Sequence, residues 1–178
     1  HATNHTQQRW HALQKMRKEI KYKDWIFEVD FLRTKEIYSG LKYGSPENCK
    51  CNDCLNFSKN REKIYPKEIK ELLAELGIEY NKETEIYHQV RLENGLHNYA
   101  GWFHFKGIIK QGKDCKTKLP NGGWTWESKK VTENFEIAFM KDNSLSNFSE
   151  SEKYELIQIE FTANSEWVID KKLEYIEK

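Results

Sequence analysis

The chain has 178 residues, a length suited to one domain, and its 13% aromatic content supplies bulky core material. With 29 Lys+Arg against 28 Asp+Glu the formal net charge is +1, which gives no global drive toward nucleic acid or an anionic membrane surface. No apolar run approaches the roughly 20 residues of a bilayer span, and only three Pro and nine Gly exclude a low-complexity chain.

Residues 6–23 read as a helix, because Trp10, Leu13, Arg17 and Ile20 recur at three-to-four spacing. The reading is an N-terminal helical arm over residues 1–24, packed on the domain, with a partner-docking arm as the alternative. The start, His1-Ala2-Thr3-Asn4-His5, lacks the apolar centre of a signal peptide. In 25–31, Trp25, Phe27, Val29 and Phe31 alternate with Glu28 and Asp30, the pattern of a half-buried strand. Gly40, Gly44, Ser45 and Pro46 then break the chain, and residues 55–61 read as a short helix. From Pro66 to Gly77 the signals agree on a helix. Pro66 suits the first turn, Ile69, Leu72, Leu73 and Leu76 form one stripe, and Gly77 suits a left-handed end.

Strand signals dominate from there. Ile86, His88, Val90 and Leu92 share a face in 84–92, and Asn94-Gly95 marks a turn. In 99–109, Tyr99, Phe103, Phe105 and Ile109 face one way, with Trp102 and His104 opposite. Gly101 and Gly107 in that strand point to a bulge or to close backbone approach. Asn121-Gly122-Gly123 leads into a short strand at Trp124-Thr125-Trp126. Residues 135–140 and 155–161 alternate again, residues 142–153 read as a loop, and Asn164-Ser165 turns the chain into Trp167-Val168-Ile169. Helices first and strands later imply an α+β fold with an antiparallel sheet in a single domain over 25–178.

The densest chemistry is Asn48-Cys49-Lys50-Cys51-Asn52-Asp53-Cys54-Leu55-Asn56-Phe57. Three thiols within six residues can aim sulfur at one point, which suits a tetrahedral zinc site. Cys49, Cys51 and Cys54 give three ligands, and Cys115 is the expected fourth; His88, His97 and His104 are the imidazole alternatives. The competing readings are ordinary reduced thiols, or disulfides of Cys51 with Cys54 or of any of the three with Cys115. A thioredoxin-like role for Cys51-Asn52-Asp53-Cys54 lacks its βαβ context. Clustered thiols favour a reducing cytoplasm. Trp102, Trp124 and Trp126, with His104, are candidates for an aromatic binding platform, against the commoner fate of aromatics as core.

Other patterns carry nothing. Gly107 to Lys113 has phosphate-loop spacing but continues into Asp114 along a strand. There is no H-E-x-x-H, no G-x-S-x-G and no dinucleotide fingerprint. The sequons at Asn4, Asn56 and Asn147 are short enough to arise by chance.

The segment from Cys49 to Phe57, followed by Tyr65-Pro66, Leu76-Gly77-Ile78, Asn94-Gly95-Leu96-His97 and Tyr99-Ala100-Gly101-Trp102-Phe103-His104-Phe105-Lys106-Gly107, resembles a family of small uncharacterised bacterial proteins common in Firmicutes. The resemblance spans roughly residues 25–110, with residues 1–24 as an addition. It implies a shared fold and a shared role for the thiol loop, and brings no activity. The functional expectation is a non-enzymatic binding or adaptor protein with a protein partner and a zinc-binding loop, set in bacterial conflict as an immunity or anti-defence factor. A small-molecule ligand fits the same reading, and a membrane does not. The rival is a zinc-dependent hydrolase with Cys49, Cys51 and Cys54 on the metal and His104 or a nearby carboxylate as base.

Overall fold

The computed structural model describes residues 17–175. Among these, seven strands form one sheet in which every pairing is antiparallel, with helices packed on it. The fold is α+β, as the order of sequence signals implies.

Strands β1 (Lys18–Tyr22) and β2 (Trp25–Val29) form a hairpin. Most of the expected arm, residues 1–16, lies outside the described residues. The helical reading of 6–23 fails at its end, because Lys18–Tyr22 is a strand with Ile20 buried between charged neighbours. Ile20 flanked by Glu19 and Lys21 fits the alternation of a strand as well as a helical stripe, and pairing with β2 decides for the strand.

Helix α1 (Phe31–Gly40) was not expected. It buries only Thr34 and Tyr38, so it carries no apolar stripe to read. Its start is fixed by Asp30, whose carboxylate accepts the Arg33 N–H. Helices α2 (Ser45–Cys49), α3 (Asn52–Ile64) and α4 (Lys67–Leu76) follow. Helix α4 matches its sequence signals: Ile69, Leu72, Leu73 and Leu76 are buried, and Gly77 ends it at φ +86°. The Ile78 N–H then bonds back to the Leu73 carbonyl.

Strand β4 (His97–Gln111) is the spine of the sheet. One edge pairs over residues 97–106 with β9 (Leu156–Ser165). Two strands share the other edge: β3 (Glu85–Arg91) pairs residues 97–102, and β2 pairs residues 107–111. Each of these pairings sits at a glycine. A Cβ on Gly101 would come within 2.5 Å of the Glu85 carbonyl, and one on Gly107 within 2.4 Å of that of Glu28. Beyond β9 lie β8 (Phe135–Met140) and β7 (Lys129–Thr132), while β5 (Lys116–Lys118) and β6 (Trp124–Trp126) form a separate ribbon. Residues 142–149 are loop, as expected, leading to a 3-10 turn at Glu150–Glu155. Asn164 and Ser165 remain within β9, and Trp167-Val168-Ile169 is irregular rather than a strand.

The core lies between one sheet face and helices α3 and α4. Its centre is Tyr65, whose ring meets Phe57, Phe103, Phe135 and Phe161 edge-on or tilted, with centroids 5.3–6.2 Å away. Because β3 and α3 both cover the His97 end of β4, the corner between α2 and α3 is carried to that end of the sheet.

Candidate metal centre

The three thiols converge because two helix ends meet. Cys49 is the last residue of α2, Lys50 turns the chain at φ +60°, and Cys51 caps α3, its sulfur accepting the Cys54 N–H at 3.4 Å. The sulfurs of Cys49, Cys51 and Cys54 all lie within 4.8 Å of one another. Cys49 and Cys51 are exposed and Cys54 is buried, so the group is anchored on the core side and open on the other. The backbone N–H of Cys51, helped by the neighbouring thiols, lowers the Cys49 pKa. Burial, with the same thiols, pushes that of Cys54 up. All four cysteines are free thiols.

The residues after the thiols hold the corner in place. The Asn56 amide is buried and spent: it donates to the Tyr99 hydroxyl and the Glu166 carbonyl, and accepts the Val168 N–H. The sequon at Asn56 is therefore inside the fold. Phe57 is fully buried against Tyr99. On the same helix, Arg61 donates to both carboxylate oxygens of Glu83 and both of Glu47, tying α2 to α3. Burial raises the pKa of Glu83, against the opposing pull of Arg61. The Tyr65 hydroxyl adds a bond to the same carboxylate at 2.9 Å.

A second group lies on the same corner. Asp53, in the first turn of α3, His88 on β3 and His97 on β4 place one ligand atom each within 4.8 Å of the others. His97 Nδ1 is 2.9 Å from His88 Nε2, and His97 Nε2 is 2.9 Å from a Glu174 carboxylate oxygen. Glu174 is itself held by Arg91 at 2.8 Å and Lys171 at 2.6 Å. Lys171, then Arg91 and His97, hold its carboxyl at about 2. The Trp167 ring covers His97 at 4.8 Å.

Other expected site residues lie elsewhere. Cys115 does not join the thiols. It is buried in the core, its N–H bonded to the Phe139 carbonyl and its carbonyl accepting the Glu127 N–H. Its position on the far side of the sheet's centre is set by strand pairing, which sequence spacing did not reveal. His104 is also no part of the corner. Seven positions separate it from His97 along β4, roughly 23 Å of strand, and it is buried with neither ring nitrogen bonded among the described residues. Burial lowers its pKa to about 4, with Asp142 and Gln158 opposing. Trp124 and Trp126 are exposed on the ribbon, whereas Trp102 lies on the main sheet edge-on to Tyr87. These three rings do not assemble one platform. Lys116 and Lys118 lie over the Trp124 ring instead.

Asp53 and Glu174 are the residues that sequence reasoning missed. Asp53 is inside the thiol motif and reads as a surface charge; Glu174 reaches the site only through a tertiary contact. No helix among the described residues is long and apolar enough to cross a membrane. No protein-family model matches this chain, and neither a curated protein nor a solved structure does.

Proposed function

We propose that this is a non-enzymatic binding protein whose α2–α3 corner is organised by one zinc ion on Cys49, Cys51 and Cys54. The observation that carries the reading is the convergence of three sulfurs within 4.8 Å at two helix ends. Thiolates are the donors zinc takes in structural sites, and three of them crowded without a cation would repel. The site stays open at its exposed side, so the fourth ligand is a solvent molecule or a group from a partner. The exposed Trp124 and Trp126 support the binding half of the reading, since aromatic anchors are enriched at protein interfaces.

The rival, a zinc-dependent hydrolase, keeps one supporting observation: a thiol cluster with an open position and imidazoles on the same corner. Its base would come from His88 or His97, because His104 is buried far along β4.

The test is zinc release. An organomercurial, which breaks zinc–sulfur bonds, should liberate about one zinc per chain from protein purified without added metal. The C49S/C51S/C54S variant should liberate none. A chain that releases no zinc, and whose melting is unchanged by a chelator, would overturn the proposal.

A further inference from the structure

The imidazole pair of His88 and His97 asks for a second explanation. Glu174 is held as a carboxylate by Arg91 and Lys171, and a carboxylate only accepts. The 2.9 Å contact to His97 Nε2 therefore places a proton on that nitrogen. In the neutral ring, Nδ1 is left with a lone pair. That lone pair points at His88 Nε2, 2.9 Å away, with an Asp53 oxygen beside both. Without metal, His88 fills the gap by donating its Nε2 proton.

A cation can replace that proton. The proton moves to His88 Nδ1, and both facing nitrogens turn lone pairs to the metal. The carboxylate–imidazole–metal order that results is the usual way a protein fixes a ligating histidine: Glu174 sets the tautomer, and Trp167 packs against the ring. Three independent elements supply the donors, namely the first turn of α3, β3 and β4. The irregularity in the β3–β4 register between His88 and Val90 lies beside the site.

We propose that Asp53, His88 and His97 form a second metal site, distinct from the thiols, for a divalent first-row transition ion. Two nitrogens and one carboxylate oxygen, with no sulfur, make it a harder site than the cysteine group, and the remaining coordination positions are open. The two groups share no residue, so the chain takes two ions on one corner. Glu174 is a positioning residue here, acting through His97.

Cobalt(II) titration of the metal-free protein separates the two sites, because only thiolate ligation adds sulfur-to-metal charge-transfer absorption. Wild type should take two equivalents, one with that absorption and one without. His88→Ala tests the second site without opening the core, since His88 is half-exposed. Asp53→Asn is the second variant. Each should abolish the equivalent that lacks charge transfer and leave the other. C49S/C51S/C54S should do the reverse, and Glu174→Gln should weaken the second site by about 10- to 100-fold with the thiolate band unchanged. A single equivalent in wild type that carries the charge-transfer band, or a second equivalent indifferent to both His88→Ala and Asp53→Asn, would overturn this site while leaving the thiol site standing. Wild type that binds cobalt with no charge-transfer absorption would instead count against the thiol site.

Discussion

The Tyr38 hydroxyl holds both backbone polar groups of His104: it donates to the carbonyl and accepts from the N–H, each at 3.0 Å. His104 sits where β3 has ended and β2 has not begun, so that stretch of the β4 edge has no strand beside it. Helix α1 and its cap fill the gap. Thr34 accepts the Lys106 N–H, and the Asp30 N–H reaches the Lys106 carbonyl. Tyr38→Phe leaves a buried N–H and carbonyl without partners. It should cost about 1–3 kcal/mol in denaturant unfolding, with metal content unchanged. A loss within error would mean that water satisfies the edge.

The Arg61 cluster gives a second prediction. Glu83 is 2% exposed, and Arg61 is its only cationic partner among the described residues. Arg61→Ala strands that carboxylate and releases Glu47 from α3. Breaking a buried pair by removing one partner costs about 3–5 kcal/mol. Urea unfolding of the variant should show that loss, accompanied by weaker retention of zinc by the corner. A variant as stable as wild type would remove Arg61 from the account.

Glu160 sets a pH signature. It is buried on the sheet face away from the helices, one bond from Gln158, and burial raises its pKa to about 7 from 4.5. A carboxyl held above its ordinary value stabilises the fold fully below about 4.5 and loses that contribution as pH rises through about 7. His104, lowered to about 4, works the other way: its contribution is present above 6.5 and is lost as pH falls through 4. The two oppose each other in between, so the signature is read by difference. Glu160→Gln should gain on wild type by up to about 3 kcal/mol as pH goes from about 5 to about 8. A difference independent of pH would contradict it.

The same elements show what was legible. The helix 66–77 and the strands within 84–92, 99–109, 135–140 and 155–161 were readable because each carries apolar side chains at a regular spacing, one stripe on the helix and every second residue along the strands. Helix α1 was not, because Thr34 and Tyr38 are its only buried residues and both act through hydrogen bonds. The thiol group was legible because its three members lie in one loop. Its expected fourth member, Cys115, was a guess across some sixty residues of tertiary structure. Asp53, His88 and His97 come together only through the β3–β4 register and the landing of α3 on it.

Gly107 provides a prediction that a glycine inside a strand already suggested. An added methyl there meets the Glu28 carbonyl, which belongs to the paired strand and cannot swing aside. Gly107→Ala should destabilise by about 1–3 kcal/mol through overpacking, seen as a lowered denaturation midpoint with an unchanged slope. An unaffected midpoint would mean that β2 can move away at no cost.

The central claim is that sulfur from the α2–α3 corner holds zinc, and X-ray absorption at the zinc edge tests it with all three cysteines in place. With the second site emptied by His88→Ala, the account predicts a shell of three sulfur scatterers at about 2.3 Å, completed by one lighter atom. A first shell made only of nitrogen and oxygen at about 2.0–2.1 Å would contradict it.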